Sequence, residues 1–256
     1  MLQQPLRFRE TELSLLSSFI SDDCATLVPN VIVQGYKSAG KTTVVRQFLE
    51  QLGVNHTIVN CDEFLTQKLL LQKCLHRIRY DTGVDLLEYQ QVFMYKGIEA
   101  SLESVLCETF HQFLMTLEQF VLETNYTAPH VLVLDRFDQC LDQTNDLFRS
   151  FLRMREHSRI RNITVVFVTS HELPREIAPF STPQVHFPPY SQDQAVAILA
   201  DSYPAEVTDG RIHKSIWHSF SKLVIELLFD YTGTDIFLLK DICGKLWPDF
   251  CSKVIE

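Results

Sequence analysis

The chain has 256 residues, 46% apolar and 21% charged, which is enough for one α/β domain or two smaller domains with a substantial core. Its formal net charge of −9 argues against a protein that binds nucleic acid on its own, because affinity for the phosphate backbone comes chiefly from Lys and Arg. No apolar run approaches the ~18 residues of a membrane-spanning helix, and no hydrophobic signal segment opens the chain. Its seven cysteines are scattered singly. We therefore expect a soluble intracellular protein with neither a disulfide framework nor a zinc site.

Taken in chain order, the segments predict an α/β fold. Helical spacing of apolar residues predicts helices over 64–80 and 102–122, and three more over 192–202, 212–231 and 235–250. Near-continuous apolar segments alternating with helices indicate a five-stranded parallel sheet covered on both faces, with strands at 31–34, 57–60, 131–134, 163–169 and 184–187. We place a boundary near residue 188, between an α/β nucleotide-binding domain (1–188) and a small all-helical lid (189–256).

Residues 35–42 read Gly-Tyr-Lys-Ser-Ala-Gly-Lys-Thr and match the phosphate-loop pattern G-x-x-x-x-G-K-[ST] completely. They follow a predicted strand and open a predicted helix, as the pattern requires. The glycines let successive backbone N–H groups point at one anion, and the helix N-terminus adds its positive dipole end. Lys41 is expected to reach the β- and γ-phosphates, and the Thr42 hydroxyl to ligate Mg²⁺. The predicted ATP-binding residues of this segment are Gly35, Tyr36, Lys37, Ser38, Ala39, Gly40, Lys41, Thr42 and Thr43.

The apolar strand 131–134 ends in Asp135, as a Walker B element does, which predicts a second Mg²⁺ ligand. In hydrolysing members of the AAA+ class a Glu usually follows this Asp and polarises the attacking water. Here Arg136 holds that position, and it cannot act as a base. Asp138 is an alternative base, three residues further on. We predict no catalytic residues, and a site that binds ATP but hydrolyses it slowly or not at all.

Three further segments carry a family resemblance. Residues 6–13 (Leu-Arg-Phe-Arg-Glu-Thr-Glu-Leu) look like an N-terminal box beside the adenine, and 187–190 (Phe-Pro-Pro-Tyr) look like the signature that opens the lid. Residues 231–237 (Tyr-Thr-Gly-Thr-Asp-Ile-Phe) also resemble the family described next. With the two phosphate-site elements, they resemble the AAA+ initiator family of origin recognition complex subunits and their Cdc6-like relatives, over essentially the whole chain. The resemblance implies ATP and Mg²⁺ as cofactors, Thr42 and Asp135 as metal ligands, and additional ATP contacts from Phe8, Arg9, Asp135, Ser170 and Tyr190.

The resemblance also implies a biological setting. Family members are subunits of a hetero-oligomeric ring that binds replication origin DNA in the nucleus, away from membranes, and helps load the replicative helicase. They normally carry a further C-terminal winged-helix region, which this chain lacks, so we expect a truncated chain or a fragment. Arg175 is the candidate arginine finger for a neighbour's ATP.

Two positions depart from the catalytic pattern of the family. The polar residue of the sensor 1 strand falls at Thr169 or Ser170 rather than at an Asn, and the sensor 2 Arg falls near Phe237, which has no charge. Ordinary core and capping roles are the alternative for these residues. The base and the sensor 2 Arg are both missing. Both differences predict that the bound nucleotide has a structural role and is not hydrolysed.

Two surface segments and three other functions stay open. Five arginines between residues 149 and 161, spaced to share helix faces, indicate a solvated edge, a subunit interface or a DNA-lining surface. Residues 89–96 indicate either a DNA-contacting helix or an aromatic stripe facing the core or a partner. The other functions are an active AAA+ motor or clamp loader, a nucleotide-binding regulatory module outside replication, and a P-loop kinase.

Overall fold

The computed structural model describes residues 7–23, 27–83, 92–95, 98–101, 107–140, 144–171, 182–208, 212–232 and 234–255. Their strands, β1 to β7, span Asn30–Gly35, Asn55–Asn60, Val92–Tyr95, Ile98–Ser101, His130–Asp135, Ile163–Thr169 and Gln184–Phe187. Their helices, α1 to α10, span Glu10–Phe19, Lys41–Leu52, Gln67–Asp81, Phe110–Glu123, Thr144–Leu152, Met154–His157, Gln192–Ala200, Ala205–Thr208, Lys214–Leu228 and Ile236–Ile255.

The predicted five-stranded parallel sheet is confirmed, with strand order β2-β5-β6-β1-β7. The register pairs Asn60 with Asp135 across β2 and β5, and Gln34 with Thr169 across β1 and β6. Because parallel strands end at the same edge of a sheet, Asp135, Thr169 and Gln34 lie along one edge. Ligands of open α/β sheets bind outside this carboxyl edge.

Burial explains why the strand segments are continuous apolar runs. Every residue of β5 and of β6 is buried, since helices cover both faces of the sheet. Phe137 and Phe148 each pack edge to face against Phe167 of β6, with ring centroids 5.1 and 4.7 Å away, and they lie 5.8 Å from each other in a tilted pair. Phe137 is fully buried and comes two residues after Asp135. The core therefore fixes the turn that follows the predicted metal ligand.

The three helices predicted after residue 188 are present as α7, α9 and α10, with α8 between the first two. We call α7 to α10 the lid helices. A capping box begins α7, in which Ser191 accepts from the Gln194 amide and the Gln194 side chain accepts from the Ser191 amide. Trp217 and Trp247 meet edge to face in the lid core, with centroids 4.9 Å apart.

The chain divides into two compact units. One contains the described residues of Met1–Glu10, Gly35–Gly40 and Phe187–Glu256, and the other contains those of Thr11–Gln34 and Lys41–His186. The first part of the phosphate loop therefore clusters with the lid helices. The domain boundary near residue 188 stays a prediction. Within the described chain, no helix is long and apolar enough to cross a bilayer.

Two segments differ from expectation. Of the two alternatives for residues 89–96, the DNA-contacting helix is wrong for the described part, because Val92–Tyr95 is a strand that pairs with Ile98–Ser101 in an antiparallel hairpin. The remaining residues of 89–96 lie outside the described residues. In the described part of the helix predicted over 102–122, α4 begins at Phe110, where Thr109 and Gln112 form a capping box, and residues 102–106 lie outside the described residues.

The five arginines do not share helix faces as predicted. Helix α5 ends at Leu152, before Arg153, and α6 ends at His157. Two of the guanidinium groups bind backbone carbonyls: Arg155 donates to Leu27 and Ile163, and Arg161 donates to three carbonyls of its own turn. These two arginines therefore hold local structure through at least part of each guanidinium group, and the DNA-lining and subunit-interface alternatives stay predictions.

Candidate functional site

The phosphate loop joins β1 to α2, and its two glycines occupy backbone conformations that other residues rarely adopt. Gly35 has φ +155° and Gly40 has φ +85°. A Cβ on Gly35 would lie 2.2 Å from the carbonyl oxygen of Phe187, and one on Gly40 would lie 2.6 Å from the Tyr190 hydroxyl. Both positions therefore require glycine, for conformation and for close approach.

Arg9, in the segment predicted as the N-terminal box, contacts this loop and stabilises it. It is buried, and its Nη2 donates to the carbonyls of Ala39 at 3.0 Å and Pro188 at 2.8 Å. Its guanidinium carbon lies 4.0 Å from the centroid of the Tyr190 ring, a distance at which a desolvated cation–π contact contributes up to about 2 kcal/mol. The structure thus brings together Arg9, Ala39 and Tyr190, three of the residues that we predicted for the ATP site.

The apex of the loop contacts the start of α10. Ser38 has φ +61° and donates its hydroxyl to Asp235 Oδ1, while Lys37 Nζ lies 3.6 Å from Asp235 Oδ2. The same Oδ1 accepts from the amides of Phe237 and Leu238, so Asp235 also caps the helix. Burial would raise the pKa of Asp235, but the hydrogen bonds from Ser38 and the helix amides and the charge of Lys37 lower it overall.

The two predicted metal ligands meet directly. Thr42 Oγ1 donates to Asp135 Oδ1 at 2.8 Å, in the first turn of α2 and at the last residue of β5. Burial raises the pKa of Asp135, and the Thr42 hydrogen bond and the charges of Arg136 and Lys41 offset this only in part. A hydroxyl and a desolvated carboxylate at one point are a suitable pair for a divalent cation that takes its other ligands from phosphate and water.

Arg136 occupies the position after the Walker B Asp. Its φ of +52° is left-handed, and Nη1 donates to Asp62 Oδ2, at the 3-10 turn that follows β2. The hydrogen bond to Asp62 raises the pKa of Arg136 further. The residue at the usual base position is therefore a permanent cation.

Asp138, the alternative base, is engaged elsewhere. Oδ1 accepts from the Ser170 amide at 3.1 Å, and Oδ2 lies 2.7 Å from His171 Nδ1. Burial would raise the pKa of Asp138, but the hydrogen bonds from His171 and Ser170 lower it overall. Both oxygens thus tie the turn after β5 to the end of β6, which disfavours a role as general base.

The sensor 1 position contains a buried hydroxyl without a partner. Thr169 is fully buried at the end of β6, and within the described residues its Oγ1 makes no hydrogen bond. Buried polar atoms are nearly always paired, so an orphan at the ligand-binding edge indicates a missing water or ligand. Of our two candidates for sensor 1, Thr169 is the one that is fully buried, whereas Ser170 is only partly buried.

Other predicted residues are more peripheral. Tyr36 and Phe8 are exposed, as is Thr43, and Phe237 is 76% exposed in the first turn of α10. The predicted arginine finger, Arg175, lies outside the described residues. Where the chain is described, no group of three or more His, Cys, Asp or Glu side chains is arranged to hold a metal.

Sequence reasoning missed Asp62 and His171 as partners of Arg136 and Asp138, and it missed Asp235 altogether. Asp235 opens the helix predicted over 235–250, and an Asp at a helix start is a capping signal. Nothing in the sequence pattern, however, links it to a loop 197 residues away.

Comparison with known proteins agrees with the fold. A family model described as AAA ATPase domain matches residues 5–166, and one described as ORC5, lid domain matches residues 217–256. Origin recognition complex subunit 5 of Homo sapiens is 23% identical over 100% of this chain and 55% of its own length. The same subunit of Saccharomyces cerevisiae is 26% identical over 97% of this chain and 56% of its own length.

The chain therefore spans little more than half the length of these curated relatives. A structure of Drosophila ORC bound to DNA aligns with TM-score 0.71 at 16% identity, covering 98% of this chain and 63% of that one, which supports the fold. The predicted resemblance to the initiator family is confirmed. The chain belongs to the AAA ATPase domain family, and its lid matches the lid domain of origin recognition complex subunit 5.

Proposed function

We propose that this chain binds ATP with Mg²⁺ mainly as a structural ligand, and that it serves as a subunit of an origin recognition complex. The observation that carries the proposal is the contact between Thr42 and Asp135, 2.8 Å long, beside a complete phosphate loop. The orphaned hydroxyl of Thr169 at the same edge of the sheet adds support.

The residues present suit the expected roles. The loop amides and Lys41, the buried first residue of α2, would bind the β- and γ-phosphates, and the dipole of α2 favours the anion. Thr42 and Asp135 would hold Mg²⁺, which neutralises phosphate charge when bound. Arg9 keeps the loop in place through the Ala39 carbonyl.

Slow or absent hydrolysis is the second part of the proposal. Attack on the γ-phosphate needs a group that orients water, and Arg136 has no acceptor atom for this. Asp138 is held by Ser170 and His171. The sensor 2 position holds Phe237, which offers no charge to the phosphates.

A nucleotide that is bound but not hydrolysed can act by stabilising the folded protein. A ligand that binds only the native form stabilises it by about 2.7 kcal/mol at a hundredfold excess over Kd. We propose that this energy shapes an interface with the other subunits in the nucleus, and that origin DNA is contacted through the assembled ring. The names of the relatives support this setting.

The test is Lys41→Ala, with Lys245→Ala as control, because Lys245 is an exposed residue of α10 that pairs with Asp241. We expect Lys41→Ala to weaken ATP binding about tenfold or more, as loss of a charged hydrogen bond does, and to reduce recovery with the other complex subunits. The control should behave as wild type. Equal ATP affinity in both variants would contradict the proposed site.

The rival functions predict different results. An active motor or clamp loader would release phosphate continuously, and Lys41→Ala would abolish that release. A regulatory module outside replication would bind ATP but fail to co-purify with origin complex subunits. A P-loop kinase would transfer phosphate to an acceptor.

A further inference from the structure

Asp235 places a carboxylate against the phosphate loop from the lid side. One oxygen accepts from the Ser38 hydroxyl, and the other lies 3.6 Å from the Lys37 ammonium. Only 16% of the Asp235 side chain is exposed, so water screens its charge incompletely. The hydrogen bonds and cation around it keep this carboxyl ionised at neutral pH, in agreement with its lowered pKa.

The loop backbone, in contrast, is organised to receive an anion. A phosphate on the Ser38 amide would lie within about 9 Å of the Asp235 carboxylate, given the length of the Ser side chain and of two hydrogen bonds. At that separation a repulsion between two unit like charges is enough to change affinity about three- to tenfold at low salt. Lys37 offsets this in part, but it is 85% exposed and strongly hydrated.

We propose that Asp235 sets the affinity of the phosphate loop, as a fixed negative charge that opposes polyphosphate and competes with it for Ser38 and Lys37. The inference rests on the proposed function, because it concerns the same loop. It makes Asp235 an affinity-determining residue that reaches the loop from the lid. Polyphosphate binding therefore weakens the contact between the loop and the start of α10, and that contact in turn weakens polyphosphate binding.

The experiment compares Asp235→Asn with Asp241→Asn by equilibrium ATP titration at low and high salt. Asn preserves shape, helix capping and the acceptor for Ser38, so Asp235→Asn removes mainly charge. Asp241→Asn removes the same formal charge from the same helix at a residue that pairs with Lys245. We expect Asp235→Asn to tighten ATP binding about three- to tenfold at low salt, and Asp241→Asn to change it by less than about twofold.

Salt dependence separates charge from shape. Because a charge effect is screened, the gain in Asp235→Asn should shrink as salt rises. Affinity that is unchanged or weaker in Asp235→Asn than in Asp241→Asn would overturn the inference, as would a gain that is independent of salt. Thermal unfolding of both variants checks that the fold is intact.

The two proposals fail separately. If wild type binds ATP and Asp235→Asn binds no tighter, only the inference fails. If wild type does not bind ATP but Asp235→Asn does, the proposed function fails and the inference holds. If neither binds, both are wrong.

Discussion

Gly35→Ala tests whether the close approach of β1 to Phe187 shapes the phosphate loop. The added Cβ would lie 2.2 Å from the Phe187 carbonyl oxygen and 2.8 Å from its Cβ. One of these neighbours is backbone and the other is fixed to it, so neither can rotate away, and the two chain segments must separate. Overpacking of this kind costs about 1–3 kcal/mol, and a positive φ adds about 1 kcal/mol for Ala.

Gly53→Ala is the matched control, because Gly53 also has positive φ (+72°) but has no atom within 4 Å of a built Cβ. It should lose only about 1 kcal/mol. For a chain of this size each kcal/mol lowers Tm by roughly 2–4 °C, so differential scanning fluorimetry should show a clearly larger loss for Gly35→Ala. ATP affinity should also fall in Gly35→Ala alone. Equal Tm losses and equal ATP affinities would refute the reasoning.

Three further outcomes are expected. Burial lowers the pKa of His130 to about 4, so folding stability should fall as pH drops from about 6.5 towards 4, by roughly 2 kcal/mol between pH 7 and 5; urea unfolding should show this in wild type but not in His130→Gln. Gly244→Ala, inside α10 with open space around a built Cβ, should stabilise by about 0.5–1 kcal/mol in the same assay, and a loss would contradict the helix geometry. Thr42→Ala should weaken ATP binding about tenfold with Mg²⁺ and less in EDTA, whereas equal losses would count against Thr42 as a metal ligand.

The sequence predicted the five-stranded sheet, and it located the loop and the strand end of the candidate phosphate site, because both depend on local patterns. A strand buried on both faces must be apolar at every position, so β5 and β6 appear as continuous runs. The phosphate loop is a contiguous motif whose glycines are required by its own backbone. Asp135 follows from the strand before it.

Long-range contacts could not be predicted in this way. The sequence predicts Arg155 to be one of five surface arginines, yet its guanidinium donates to the carbonyl of Leu27. Asp138 was weighed as a base, but His171, 33 residues away, engages it. Asp235 had only a capping signal, while its contact with Ser38 depends on tertiary structure. Polar side chains have many partners to choose from, and residue type does not specify which one they contact.

The hairpin of β3 and β4 was missed for another reason. Its strands have four residues each, too short for alternation to separate strand from helix. The prediction that the five arginines share helix faces is wrong for a similar reason. It treats the segment as one continuous helix, but α5 ends at Leu152 and α6 begins at Met154.

We propose that this chain binds ATP and does not hydrolyse it. The direct measurement is incubation of the purified chain with radiolabelled ATP and Mg²⁺, followed by separation of bound from free nucleotide and analysis of both. We predict that wild type retains intact ATP, that Lys41→Ala retains little, and that free phosphate stays near the level of a protein-free control. Turnover of several ATP per second, or no retained nucleotide in wild type, would contradict the account.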